Sequence, residues 1–145
     1  MIIDSHAHFI PPSLLAAIQV RAGEFAALSL IHDRSGRFGF SFAGSKPTRP
    51  ASKMLSDAKR RLEWMDANQI DLQVIGGWLD MFGYELPVDE GQCWATMVNE
   101  HLGQFCAEND RFLPLASLPM PVSYTHLRAH ETDSYLVCRL LLEKK

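Results

Sequence analysis

The first dozen residues, Met1-Ile-Ile-Asp-Ser-His-Ala-His-Phe-Ile-Pro-Pro12, constrain this chain more than any other stretch. An apolar start, a carboxylate and two histidines one residue apart describe a short strand that carries His6 and His8 at its end. Side chains two apart on a strand share a face, so both imidazoles are expected to project into one space, as two ligands of a single metal ion must. Ala7 then points to the other face, where a small apolar residue packs. Pro11-Pro12 closes the strand, because proline donates nothing to a ladder. The motif supplies two donors where zinc takes three or four protein ligands.

Beyond that strand the periodicity alternates between helix and strand. Residues 13–20 predict a short helix with Leu14, Leu15 and Ile18 on one side and Ser13 at the cap or first turn. From Gly23 to Pro50 the pattern dissolves, apart from Phe38, Phe40 and Phe42, which alternate as in one strand of a hairpin. A loop of this length is expected to be functional or disordered. Arg34, Arg37 and Arg49 within it read as solvated charges, with contact to a carboxylated substrate as the sharper alternative.

A second helix is predicted over 51–68 from the spacing of Leu55, Ala58, Leu62 and Met65, with Trp64 packing beside that stripe. Residues 70–77 form the next strand, ended by Gly76-Gly77, and 78–86 a loop at its C-terminal side. Pro87 sets a helix start, Asp89 and Glu90 suit its first turn, and Trp94, Met97, Val98, Leu102 and Phe105 make one stripe that ends near Asn109. His101 lies on or beside that stripe and reads as structural. Residues 112–118 give a third strand. Strand, helix, strand, helix, strand implies parallel strands with crossover helices, and so the α/β class.

Composition excludes several function classes. A formal charge of −3 gives no electrostatic reason to bind nucleic acid. No apolar run approaches the roughly 20 residues of a spanning helix, so no membrane insertion is expected. Cys93, Cys106 and Cys138 are odd in number and lack close pairing, which fits a reducing cytoplasm. The N-terminus reaches Asp4 without a basic region, so no signal peptide is expected.

Several motifs together resemble the amidohydrolase superfamily, in the branch of aminocarboxymuconate-semialdehyde decarboxylase. They are Ile3-Asp4-Ser5-His6-Ala7-His8, Arg61-Leu-Glu-Trp-Met-Asp66 leading into Ile70-Asp-Leu-Gln-Val74, Met81-Phe-Gly-Tyr84, Val98-Asn-Glu-His-Leu102, and Arg111-Phe112 with Leu118-Pro-Met120. The resemblance implies a (β/α)8 barrel of ~250 residues or more, with chemistry at the C-terminal strand ends. The chain is then an N-terminal portion holding about three β/α units, over residues 1–121. The resemblance further implies Zn(2+), or another divalent metal, with His6 and His8 as the first two ligands. A later histidine and aspartate would complete the set, and the catalytic proton-transfer group would also lie in the second half. No catalytic or substrate-binding residue is assigned here; the arginine-bearing loop and Met81–Tyr84 are candidate pocket walls.

The implied parent is a cytoplasmic, metal-dependent decarboxylase of a small carboxylated aromatic or muconate-like acid, with a homodimer left open. A hydrolase or hydratase of the same superfamily is the alternative, and a metal-dependent phosphoesterase barrel fits the later motifs less well. A reading of another class is that these 145 residues are a non-catalytic fragment with weak metal retention, an unpaired sheet edge and poorly covered sheet faces.

Residues 122–145 do not continue the family pattern. Val122-Ser-Tyr-Thr-His-Leu-Arg-Ala-His-Glu-Thr132 and Leu136-Val-Cys-Arg-Leu-Leu-Leu-Glu-Lys-Lys145 resemble the translation of a transposon-type sequencing adaptor interrupted by a short index. This tail is therefore expected to be non-native, and the helical spacing of His126 and His130 to be accidental. It carries one net positive charge, leaving −4 on the remainder.

Overall fold

The computed structural model describes residues 1–119, so the tail at 122–145 lies outside the described residues. In chain order the elements are strand β1 (Ile3–Phe9), helix α1 (Pro12–Arg21), strands β2 (Leu28–His32) and β3 (Phe38–Phe42), helix α2 (Ala58–Ala67), strand β4 (Leu72–Gly77), helix α3 (Val88–Ala107) and strand β5 (Phe112–Leu115). β1, β4 and β5 form a parallel sheet in that order, with β4 in the middle, while β2 and β3 form a separate antiparallel hairpin. The α/β expectation holds. The sheet is three strands of a barrel-like series, not a closed barrel.

Two apolar clusters hold these elements together. In the first, Phe9 and Ile75 from the sheet pack with Met65 of α2, Leu102 and Cys106 of α3, and Phe112 of β5. This is the ordinary burial of a sheet face under amphipathic helices. That face is covered, against the expectation of two poorly covered ones. The second cluster joins α1, the hairpin, the loop after β4 and the first half of α3 around Trp94. Trp94 is fully buried, its ring meets Phe25, Phe40 and Phe42 at 5.5–6.0 Å between centroids, and its Nε1 donates to Met81 O at 2.6 Å.

The second cluster corrects the loop reading of residues 23–50. Leu28 pairs with Phe42 and Leu30 with Phe40 across the hairpin, and Phe40 and Phe42 are buried. What appears patternless in the sequence is a packed element whose partners lie some fifty residues away. The arginines remain solvent-side: Arg37 pairs with Asp33 and Arg49 with Asp80, both at 2.8 Å, and Arg34 is exposed.

Local chemistry moves several boundaries. α2 begins at Ala58, not Ala51, because the Asp57 carboxylate accepts from Arg60 N at 3.0 Å and so caps the helix there. Ser52 instead caps a short 3₁₀ turn, Lys53–Leu55, and Leu55 leaves the helical stripe to join the cluster around Trp94. Trp64 is 46% exposed, on the outer side of α2, and does not pack beside the stripe. α1 starts at Pro12, whose fixed φ suits a first helical position, and Ser13 Oγ bonds His101 Nδ1 at 3.0 Å instead of capping. β5 ends at Leu115, three residues before the predicted end.

The first cluster sets the reactivity of one thiol. Burial pushes Cys106 up to about 11, whereas Cys93 is half-buried. In a Cys138→Ser variant at pH 8, alkylation of the folded chain is expected at Cys93 alone, with Cys106 reacting only as the chain unfolds. Mass mapping that finds both labelled at one rate would contradict this burial.

Candidate metal centre

His6 and His8 lie in the C-terminal half of β1, which places them at the end of the sheet where parallel strands finish. Their rings stand edge to face, with centroids 4.9 Å apart and planes at 88°. His6 is exposed and His8 half-buried. His8 Nδ1 lies 2.9 Å from Gly77 O. A carbonyl only accepts, so Nδ1 carries the proton in that bond, and in the neutral ring Nε2 is left bare. A neutral imidazole with one nitrogen tied to a carbonyl and the other bare is the form that binds a metal. The donor set therefore fits two positions of a zinc site. Among the described residues no group of three or more His, Cys, Asp or Glu side chains is placed to hold a metal ion.

The strand is not regular up to this point. Asp4 sits opposite Gln73 and Ala7 opposite Ile75, so three steps on β1 match two on β4. The extra residue is a bulge, and it changes which face each following side chain takes. Asp4 and Ala7 consequently share the helix-covered face, where Ala7 packs against the Phe9 and Ile75 cluster as the alternation predicted. His6 and His8 take the opposite face.

Asp4 faces a polar group that single-sequence reasoning passed over. Gln73 is only 1% exposed, and its Nε2 donates to Asp4 Oδ2 at 2.7 Å. Arg61 of α2 reaches in, donating from Nη1 to Gln73 Oε1 at 2.9 Å and from Nη2 to His8 O at 2.7 Å. Its Cζ stands 5.3 Å from the centre of the Phe9 ring. Burial lowers the Arg61 pKa from its ordinary value while the charge of Asp4 opposes that shift; a guanidinium so far above neutrality stays protonated. The available signal was a glutamine in the middle of an apolar strand, since a buried amide needs partners.

Strand-end loops are shaped by two further features. Asn99 of α3 clamps the segment after β5, donating from Nδ2 to Ser117 O at 2.9 Å and accepting from Ser117 N at 2.8 Å. The Met81–Tyr84 loop is held from within: Met81 is 1% exposed and Gly83 has φ +67°. Only Phe82 and Tyr84, stacked at 5.4 Å, keep exposed surface, so this motif is mainly structural.

No protein-family model matches the chain. It is 29% identical over 119 residues to 2-amino-3-carboxymuconate-6-semialdehyde decarboxylase of Dictyostelium discoideum, a match covering 81% of this chain and 33% of that protein. This chain is similar to part of that decarboxylase. The chain thus spans about a third of the length of the curated relative it matches. The crystal structure of Metarhizium anisopliae IDCase in apo form superposes with a TM-score of 0.63 at 17% identity, over 91% of this chain and 38% of that one. That likeness shows the fold: the chain follows part of a larger barrel-type architecture.

Proposed function

We propose that this chain contributes His6 and His8 as two metal ligands to a zinc-dependent decarboxylase of a small carboxylated aromatic or muconate-like acid. The observation that supports this most directly is the pair of imidazoles 4.9 Å apart at one strand end, one of them with its Nε2 left bare by the bond to Gly77. The name of the Dictyostelium relative supports the reaction class. When bound, the metal supplies a positive centre that polarises substrate oxygens or a water whose pKa falls toward 7. The part of the protein described here orients: Gly77 O holds the His8 ring, and the β1 bulge keeps the Asp4 carboxylate on the other side of the sheet.

The proposal assigns the remaining ligands and the proton-transferring group to a barrel of which this chain spans about a third. Residues 1–121 are proposed as the barrel portion, and residues 122–145 as a segment that takes no part. The reading further places the protein in a reducing cytoplasm. Cys93 and Cys106 are free, and among the described residues no helix is long and apolar enough to cross a membrane.

The test is zinc titration of the metal-free chain by calorimetry. One weak site per chain is expected, its affinity falling about tenfold or more in His6→Ala and in His8→Ala, and unchanged in a chain ending at residue 121. Equal zinc affinity in the wild type and both histidine variants would remove the basis for this function.

A further inference from the structure

The polar group beneath β1 reaches both ends of the segment that carries the histidines. Asp4 Oδ1 accepts from His6 N at 3.2 Å, and Arg61 Nη2 donates to His8 O at 2.7 Å. Between them, Gln73 joins the two, accepting from Arg61 and donating to Asp4. A bulge leaves local backbone groups without their regular ladder partners, and buried backbone groups must find others. Here a helix side chain and a strand carboxylate take that role on the covered face, while the imidazoles stand on the opposite one.

We propose that Arg61, acting with Gln73 and Asp4, is a positioning residue that fixes the backbone of His6–His8 and thereby sets the orientation of both imidazoles. The inference rests on the metal-ligand reading for its functional meaning, but its geometric content is testable without metal. The Arg61 hydrogen bonds go to Gln73 Oε1 and His8 O and not to an imidazole. Arg61 acts through His8 O, and a displaced His8 backbone would carry the ring nitrogen away from Gly77 O. The guanidinium is suited to the task because its planar fork spans two acceptors on different strands at once, Gln73 Oε1 on β4 and His8 O on β1. Its face against Phe9 fixes the approach, and Nε is the buried side-chain polar atom left without a partner among the described residues. Lysine at this position would offer a single nitrogen in place of the planar fork.

The experiment is ¹⁵N NMR of the histidine side chains in the metal-free full chain at pH 8.5. It compares wild type, Arg61→Met, Arg61→Lys and Gln73→Leu. In the wild type the His8 resonances are expected to report the Nδ1–H tautomer. In Arg61→Met they move toward a mixture of tautomers, with Gln73→Leu and Arg61→Lys in between. Zinc affinity is expected to fall about tenfold in Arg61→Met.

A residue that merely supports the fold would lower the melting temperature and leave the His8 tautomer of the folded chain unchanged. That result in Arg61→Met overturns the proposal. Should Arg61→Met fail to fold, an unchanged tautomer in both Arg61→Lys and Gln73→Leu overturns it equally. Loss of the tautomer preference in Arg61→Met, together with a wild type that binds no zinc, would uphold the positioning role and reject the metal reading, so the two fail separately.

Discussion

Trp94→Ala is expected to lower the stability of the chain by about 3–5 kcal/mol, read from equilibrium urea unfolding. The side chain is fully buried and touches three aromatic rings from two different segments, Phe25 ahead of the hairpin and Phe40 and Phe42 within it. Truncation removes those contacts, opens a cavity that rings on a hairpin cannot readily collapse into, and leaves Met81 O without its donor. A chain of this size has little stability to lose. The far-UV spectrum at 25 °C is therefore expected to show substantial unfolding. A loss below about 1 kcal/mol, the size of an ordinary surface change, would contradict the packing described.

Gly83→Val is expected to cost about 2–6 kcal/mol, the sum of a backbone and a packing effect of similar size. The backbone effect follows from φ +67°, which a β-branched residue scarcely adopts. The packing effect follows from a Cβ that would lie 3.0 Å from Leu86 Cδ1, 3.0 Å from Trp94 Cδ1 and 3.2 Å from Phe42 Cε1. Leu86 and Phe42 belong to the same cluster as Trp94, so the two sites are coupled. In a Trp94→Phe background the smaller ring relieves part of the crowding, and Gly83→Ala should then cost less than it does in the wild type. Equal costs in both backgrounds would mean that the backbone conformation alone demands glycine.

The parallel sheet and its two crossovers were legible because each signal is local. The apolar stripe of Trp94, Met97, Val98 and Leu102 repeats at helical spacing, and all four residues are buried. The pairing of His6 with His8 was legible for the same reason, since strand alternation acts over two residues. The hairpin was only half legible. The alternation of Phe38, Phe40 and Phe42 was visible, but the value of burying them depends on Trp94, and single-sequence patterns do not report contacts so distant along the chain. The start of α2 was misread because a helical spacing of apolar residues runs back to Leu55, while the Asp57 cap decides where hydrogen bonding begins. Arg61 was visible as part of a motif, but its role was not: nothing in its neighbours along the chain indicates that it reaches a carbonyl on another strand.

The string Asp-Ser-His-Ala-His invites a count of three oxygen and nitrogen donors converging on one ion. The single surplus residue between Asp4 and Ala7 forbids that count, since it consigns the carboxylate to one compartment and the imidazoles to another. One insertion thus lets five consecutive residues face two ways, as an internal tether on the helix side and as an outward-looking pair of nitrogen donors.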